Sequence, residues 1–194
     1  MMKITTKQMK QFAMFNSLVH SSIVSVSSVL YICDYIDLDL IKNFYIFSIC
    51  YFILDYLIIL NYYDLKNKII YFFHHTIASY ILYCFINQND YNKLIPIGLT
   101  SEIPIIFLNI NWFLIKYKKQ NTILFTVIDY ISIITYFIFR ICTFTYILFA
   151  NYYIYGNTYN NISKIFNIIY ILNCMWFIGI YKRFKGKLIL KKYN

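Results

Sequence analysis

Six long apolar runs, each set off from the next by a short polar segment, organise the chain. They cover about residues 11–33, 41–62, 69–88, 94–115, 121–150 and 162–181, with breaks at Asp34 to Asp39, Asp64 to Lys68, Asn87 to Lys93, Lys116 to Gln120 and Asn151 to Asn161. A bilayer core about 30 Å thick takes about 20 helical residues per crossing, so the pattern predicts six transmembrane helices. The fifth run is long enough to tilt or to project beyond the bilayer. Loops this short force consecutive helices to pack antiparallel, and no repeat divides them. The expected organisation is one domain: an N-terminal segment over 1–10, a six-helix bundle over 11–181 and a basic tail over 182–194.

Composition agrees with this pattern and removes other classes. Of 194 residues, 60% are hydrophobic, 22% aromatic and only 13% charged, against about 25% charged in a soluble domain. A soluble enzyme, a disordered tail and a nucleic-acid module are disfavoured, so the net charge of +10 needs another meaning. Five Cys with no Cys-x-x-Cys pair give neither a disulfide framework nor a zinc ribbon.

The basic residues sort by side. With six spans, one membrane face carries Lys3, Lys7, Lys10, Lys66, Lys68, Lys116, Lys118, Lys119, Lys182, Arg183, Lys185, Lys187, Lys191 and Lys192, fourteen of the 18 Lys and Arg. The other carries Lys42, Lys93 and Lys164, and Arg140 lies within a span. Lys and Arg are retained on the cytoplasmic side of short loops, so both termini are expected there. The first run lacks a small-x-small cleavage site and is too long for a signal peptide, which makes it an uncleaved span. The end Lys191-Lys192-Tyr193-Asn194 matches a dilysine retrieval pattern of endoplasmic-reticulum membrane proteins. Six basic residues among the last 13 also place two side by side by chance, and both readings stand. A sequon, Asn161-Ile162-Ser163, falls in the expected luminal loop close to the membrane.

Ionisable groups at membrane depth cost about 2.5–3.5 kcal/mol each on insertion scales and usually face a bundle interior or a wet cavity. Here they are His20, Asp55, His74, His75, Glu102, Asp129 and Arg140. Steps of three and four draw polar stripes through Asn16, His20 and Ser27, through Ser48, Tyr51 and Asp55, and through Asp129, Ser132, Tyr136, Arg140 and Thr143. Glu102 and Asn109, seven apart, share a face. The stripes predict an all-α bundle around a central polar cavity. Counting about 1.5 Å per residue puts Asp55 and His74 at matching depths, and puts Glu102 and Arg140 close enough in depth to pair. That pair reads either as a register-fixing charge pair or as a headgroup site. Adjacent helical residues point about 100° apart, so His74 and His75 cannot chelate one metal, and no metal is expected. One imidazole of the two can act as general base or nucleophile, with Asp55 fixing its tautomer, or both can be inert interhelical glue.

The ordered set "YFILDY", "HHTIASY", "SEIPIIFLNINWFL", "FIFRI" and "LNCMWFIGIYK" resembles the landmarks of the TLC domain, shared by translocating-chain-associating proteins and ceramide synthases. The resemblance runs from about Asn16 to Lys187. The Glu102, Asn109 and Trp112 spacing looks like that of the less characterised transmembrane branch of the family. It implies family positions at His20, Asp55, His74, His75, Glu102, Asn109, Arg140, Asn173 and Trp176. In the synthases the matching histidine pair is implicated in transfer from acyl-CoA to a sphingoid amine; the acidic run that follows it there is absent after His75. Three functions follow as expectations. The first is lipid binding, sensing or homeostasis in an endomembrane, without a resident cofactor, with sphingolipid or fatty-acyl lipids as partners. The second is an N-acyltransferase using His74, His75 and Asp55, with acyl-CoA as co-substrate drawn to the basic loops. The third is a structural or translocation-accessory membrane protein. Cavity or lipid contacts are expected from His20, Glu102, Asn109, Trp112, Asp129, Arg140, Asn173 and Trp176.

Overall fold

Every apolar run is helical in the structure, a computed structural model that describes residues 6–62, 65–87, 93–155 and 161–193. In order these form α1 (Thr6–Ile32), α2 (Leu38–Tyr62), α3 (Leu65–Asn87), α4 (Leu94–Leu99), a 3-10 turn (Thr100–Glu102), α5 (Ile103–Lys116), α6 (Ile123–Tyr136), a π-helical turn (Phe137–Cys142), α7 (Thr143–Tyr155) and α8 (Asn161–Tyr193). Lys3 lies outside the described residues, as do the side chains of Lys7, Lys66, Lys187, Lys191, Lys192 and the Asn161-Ile162-Ser163 sequon.

Among the described residues, five stretches are long and apolar enough to cross a bilayer: Gln8–Ile32, Leu38–Tyr62, Leu94–Lys116, Ile123–Tyr153 and Lys164–Lys185. Helix α3, with 23 residues, has the length of a crossing at about 1.5 Å per residue. The chain is an all-α, multi-pass membrane protein.

The interruptions have local causes. Pro104 has no N–H to give to a carbonyl four residues back, and the 3-10 turn falls just before it. The π turn has no such cause, since residues 123–155 contain neither Gly nor Pro. Asp129, Ser132, Tyr136 and Arg140 are buried as one stripe, which runs on through Phe144, Ile147 and Asn151. Thr143, expected on it, is only half-buried and its hydroxyl bonds the Ile138 carbonyl five residues back at 3.2 Å. The basic segment after residue 181 continues α8 to Tyr193 rather than leaving the helix.

Two compact units form, residues 1–102 and 103–194. In the first, α2 packs on both α1 and α3, and α1 also packs on α4 and the 3-10 turn. Helix α1 can approach closely because its inner face is small: Ala13, Ser21, Ser25 and Ser28 are buried, the kind of surface that lets membrane helices meet. The serine hydroxyls satisfy themselves locally, Ser21 Oγ donating to the Ser17 carbonyl at 2.7 Å and Ser25 Oγ to that of Ser21. Ser28 shares a hydrogen bond with Tyr45 of α2 at 3.3 Å. Asp34 in the left-handed region (φ 59) turns the chain out of α1, and Asp37 Oδ1 accepts from the Leu40 N–H at 2.8 Å to start α2.

In the second unit α5 and α6 form a hairpin, and α8 packs against α6, the π turn and α7. Only Phe166 and Asn173 are buried among the described side chains of α8. In both units many large apolar side chains are exposed, including Phe12, Ile53, Leu57, Ile134, Ile171 and Met175. The buried set is rich in Ser, Asn, His and Asp. Polar groups inside and oil outside is the arrangement a hydrocarbon solvent favours.

Candidate functional site

The polar residues of the spans resolve into three clusters, one in the first unit and two in the second. In the first, Asp55 comes from α2, whose buried face runs through Ser48, Tyr51, Phe52 and Asp55. His75 comes from α3. Its Nε2–H donates to Asp55 Oδ2 at 2.8 Å, and both residues are 8% exposed. In the neutral imidazole, an Nε2–H committed to the carboxylate leaves the lone pair on Nδ1. That nitrogen is buried with no hydrogen-bond partner. His74 is half-buried, its ring 5.5 Å from that of His75. Depth counting matched Asp55 to His74, and the rotation of α3 gives the bond to its neighbour.

His20, from α1, completes this cluster. It is 2% exposed, stacks on Tyr51 with centroids 3.9 Å apart and meets Phe52 edge-on at 5.1 Å. Phe52 also lies 5.0 Å from His75, so one phenyl ring touches both imidazoles. His20 Nε2 is a second buried nitrogen without a partner. Tyr71 lies with its ring 6.2 Å from His75. The result is an apolar, aromatic surround for one supported base, one unengaged imidazole nitrogen and one carboxylate. Such a set can accept a hydrogen bond from a ligand or take up a proton or acyl group. Among the described residues no three His, Cys, Asp or Glu side chains stand close enough to hold a metal ion. Glu102 ends the last turn of the same unit and is half-buried, beside buried Thr100 and Ser101.

The second cluster joins α5 to α6. Asn111 Nδ2 donates to Asp129 Oδ1 at 3.1 Å and to Ser132 Oγ at 3.0 Å, and Ser132 in turn donates to the Ile128 carbonyl at 2.7 Å. Arg183 of α8 reaches Asp129 at 3.8 Å. Asn109 is buried as well, and Trp112 is half-buried.

The third centres on Arg140, 3% exposed within the π turn. Its Nη1 donates to Asn173 Oδ1 at 3.1 Å, and its guanidinium carbon lies 5.4 Å from the Tyr136 ring and 5.9 Å from that of Trp176. Tyr136 OH donates to the Asn173 carbonyl at 3.5 Å. Asp129 and Arg140, one stripe in the sequence, thus serve different partners.

Sequence reasoning missed Asn111, Phe52 and the second role of Arg183. Asn111 stands between Ile110 and Trp112 and its partners lie 18 and 21 residues on; its one signal is being a third polar position, with Asn109 and Trp112, in an otherwise aliphatic run. Arg183 carried only an orientation signal. Compared with known proteins, residues 13–182 match the family model described as the TLC domain. No curated protein and no solved structure matches the chain.

Proposed function

Since the chain belongs to the TLC-domain family, we propose that it binds a membrane lipid through the polar cluster of α1, α2 and α3, in the service of lipid sensing or homeostasis. The observation that carries this reading is the Asp55–His75 bond at 2.8 Å, which leaves His75 Nδ1 an unshared acceptor in an apolar wall. Within hydrocarbon no water satisfies such a nitrogen, and an unmet buried acceptor costs about 1–3 kcal/mol. A lipid hydroxyl, amine or amide N–H can supply the missing donor, while its chains meet the aromatic surface of Phe52 and Tyr71. The test is mass spectrometry of lipids that co-purify with wild type, His75→Ala and Asp55→Asn. Loss of a specific lipid in both variants supports binding. Equal lipids in all three proteins would leave the structural or translocation-accessory reading.

One observation favours a second reading, acyl transfer. An imidazole whose Nε2–H rests on a carboxylate presents Nδ1 as a nucleophile. Attack of Nδ1 on the thioester of acyl-CoA forms an acyl-imidazole and releases the CoA thiolate. A sphingoid amine then attacks the acyl carbon, gives an amide and returns the imidazole, its proton passing to the thiolate. Labelled acyl-CoA and sphingoid base, incubated with wild type and His75→Ala, test this: labelled amide from wild type alone supports it, and none from either removes it.

The fourteen-to-three division of basic residues supports cytoplasmic placement of both termini.

A further inference from the structure

The end of α5 carries a cation that neither the His75 cluster nor the other two clusters use. Lys116 is the last residue of the span Leu94–Lys116, so it stands at the depth of lipid headgroups. A lysine there ordinarily extends its ammonium into water. Lys116 instead turns Nζ inward, where it is buried and has no hydrogen-bond acceptor. The ammonium lies 5.4 Å from the Trp112 ring centroid and 5.7 Å from that of Tyr117. The rings attract it but take none of its three N–H bonds as an oxygen acceptor would.

The second unit offers it no free carboxylate. Residues 103–194 contain one acidic residue, Asp129, and Asp129 is already held by Asn111 and Arg183. The surroundings are positive. Lys118, in the left-handed region at φ 56, reverses the chain just after Tyr117 and leaves Lys118 and Lys119 exposed, and α8 adds exposed Lys182, Arg183 and Lys185.

We propose that Lys116, Trp112 and Tyr117 form a site for the phosphate of an anionic phospholipid headgroup. A phosphate oxygen is a strong acceptor for an ammonium, the bilayer presents phosphates at this depth, and the flanking lysines raise the local concentration of anionic lipid. Coenzyme A offers the same phosphate chemistry from solution, and the experiment separates the two sources. The site uses none of the residues of the His75 cluster and does not depend on how that cluster is read.

The full-length protein is titrated with phosphatidic acid, phosphatidylcholine and coenzyme A in separate arms, and binding is read by native mass spectrometry. Wild type is expected to prefer phosphatidic acid. Lys116→Gln weakens it about tenfold, as loss of a charge-assisted bond should, Lys116→Arg stays within about threefold, and Lys118→Gln changes little. A second measurement needs no Lys116 variant: in a Trp176→Phe background, Trp112 fluorescence is quenched by brominated phosphatidic acid more than by brominated phosphatidylcholine. Unchanged phosphatidic acid binding by folded Lys116→Gln, or equal quenching by the two lipids, overturns the site. Lys116-dependent binding of coenzyme A without phosphatidic acid overturns the lipid as its occupant.

Discussion

Asp55 and His75 stand 20 residues apart in sequence on two neighbouring helices, and one hydrogen bond of 2.8 Å joins them. The bond sets the direction of the imidazole: Nε2 faces the carboxylate, and Nδ1 faces away with nothing to accept from. Removing the carboxylate therefore has two consequences. Asp55→Ala strands a buried ring N–H and should lower stability by about 1–3 kcal/mol. Asp55→Asn keeps an acceptor oxygen and should lower it less, while weakening the hold on the ring. Thermal unfolding in detergent, compared across the two variants, checks the order; equal losses would mean that the retained acceptor oxygen does not support the ring.

His20 and Tyr51 stack at 3.9 Å, which separates packing from polarity at that position. His20→Phe preserves a flat ring and should leave stability within about 1 kcal/mol, because a volume-conserving swap is tolerated. His20→Ala empties the space and should cost about 2–4 kcal/mol, by analogy with other large-to-small changes. If the lipid also uses His20 Nε2, the Phe variant stays folded but loses lipid. Melting temperature and co-purified lipid, measured on the same preparation, distinguish the two effects.

The Asn111–Asp129–Ser132 network makes a prediction about coupling. Asn111→Leu leaves a buried carboxylate short of a donor and should cost about 2–3 kcal/mol. Once Asp129 is also replaced, Asn111→Leu should cost clearly less, because the orphaned group is gone. A double-mutant cycle by chemical or thermal unfolding reads the difference; simple additivity would show the two side chains to be independent.

Asn173 of α8 offers a parallel test of the π turn's Arg140. Asn173→Leu removes the amide oxygen that Arg140 Nη1 bonds at 3.1 Å and should destabilise by about 1.5–3 kcal/mol, as for a bond to a charged group. Asn173→Asp retains an acceptor in that place and should keep most of the stability. Greater loss in the Asp variant than in the Leu variant would contradict the bond's importance.

The helices were legible in the sequence because bilayer thickness fixes run length, and the polar stripes of α1 and α2 were legible because helical periodicity holds along them. The meeting of Asp55 with the histidine pair followed from depth alone. Which histidine takes part did not, since His74 and His75 differ by a rotation of about 100° that only the packing of α3 on α2 decides. The π turn was hidden because no Gly or Pro marks it, and spacing alone allowed either Thr143 or Phe144 to continue the stripe, of which Phe144 is the buried one. Asn111 was hidden because its partners sit across a tight turn, and no spacing within α5 reveals them.

The central claim, that the His75 cluster holds a lipid, is tested most directly by photocrosslinking. A photoactivatable sphingoid lipid and a photoactivatable phospholipid are each incorporated with the full-length protein, and labelled peptides are mapped by mass spectrometry. The account predicts that one lipid labels α2 and α3 around Tyr51, Phe52 and Tyr71, and that His75→Ala removes this labelling while leaving the protein folded. Labelling of these segments that persists unchanged in His75→Ala, or that falls only on the lipid-facing side chains of α8, would contradict it.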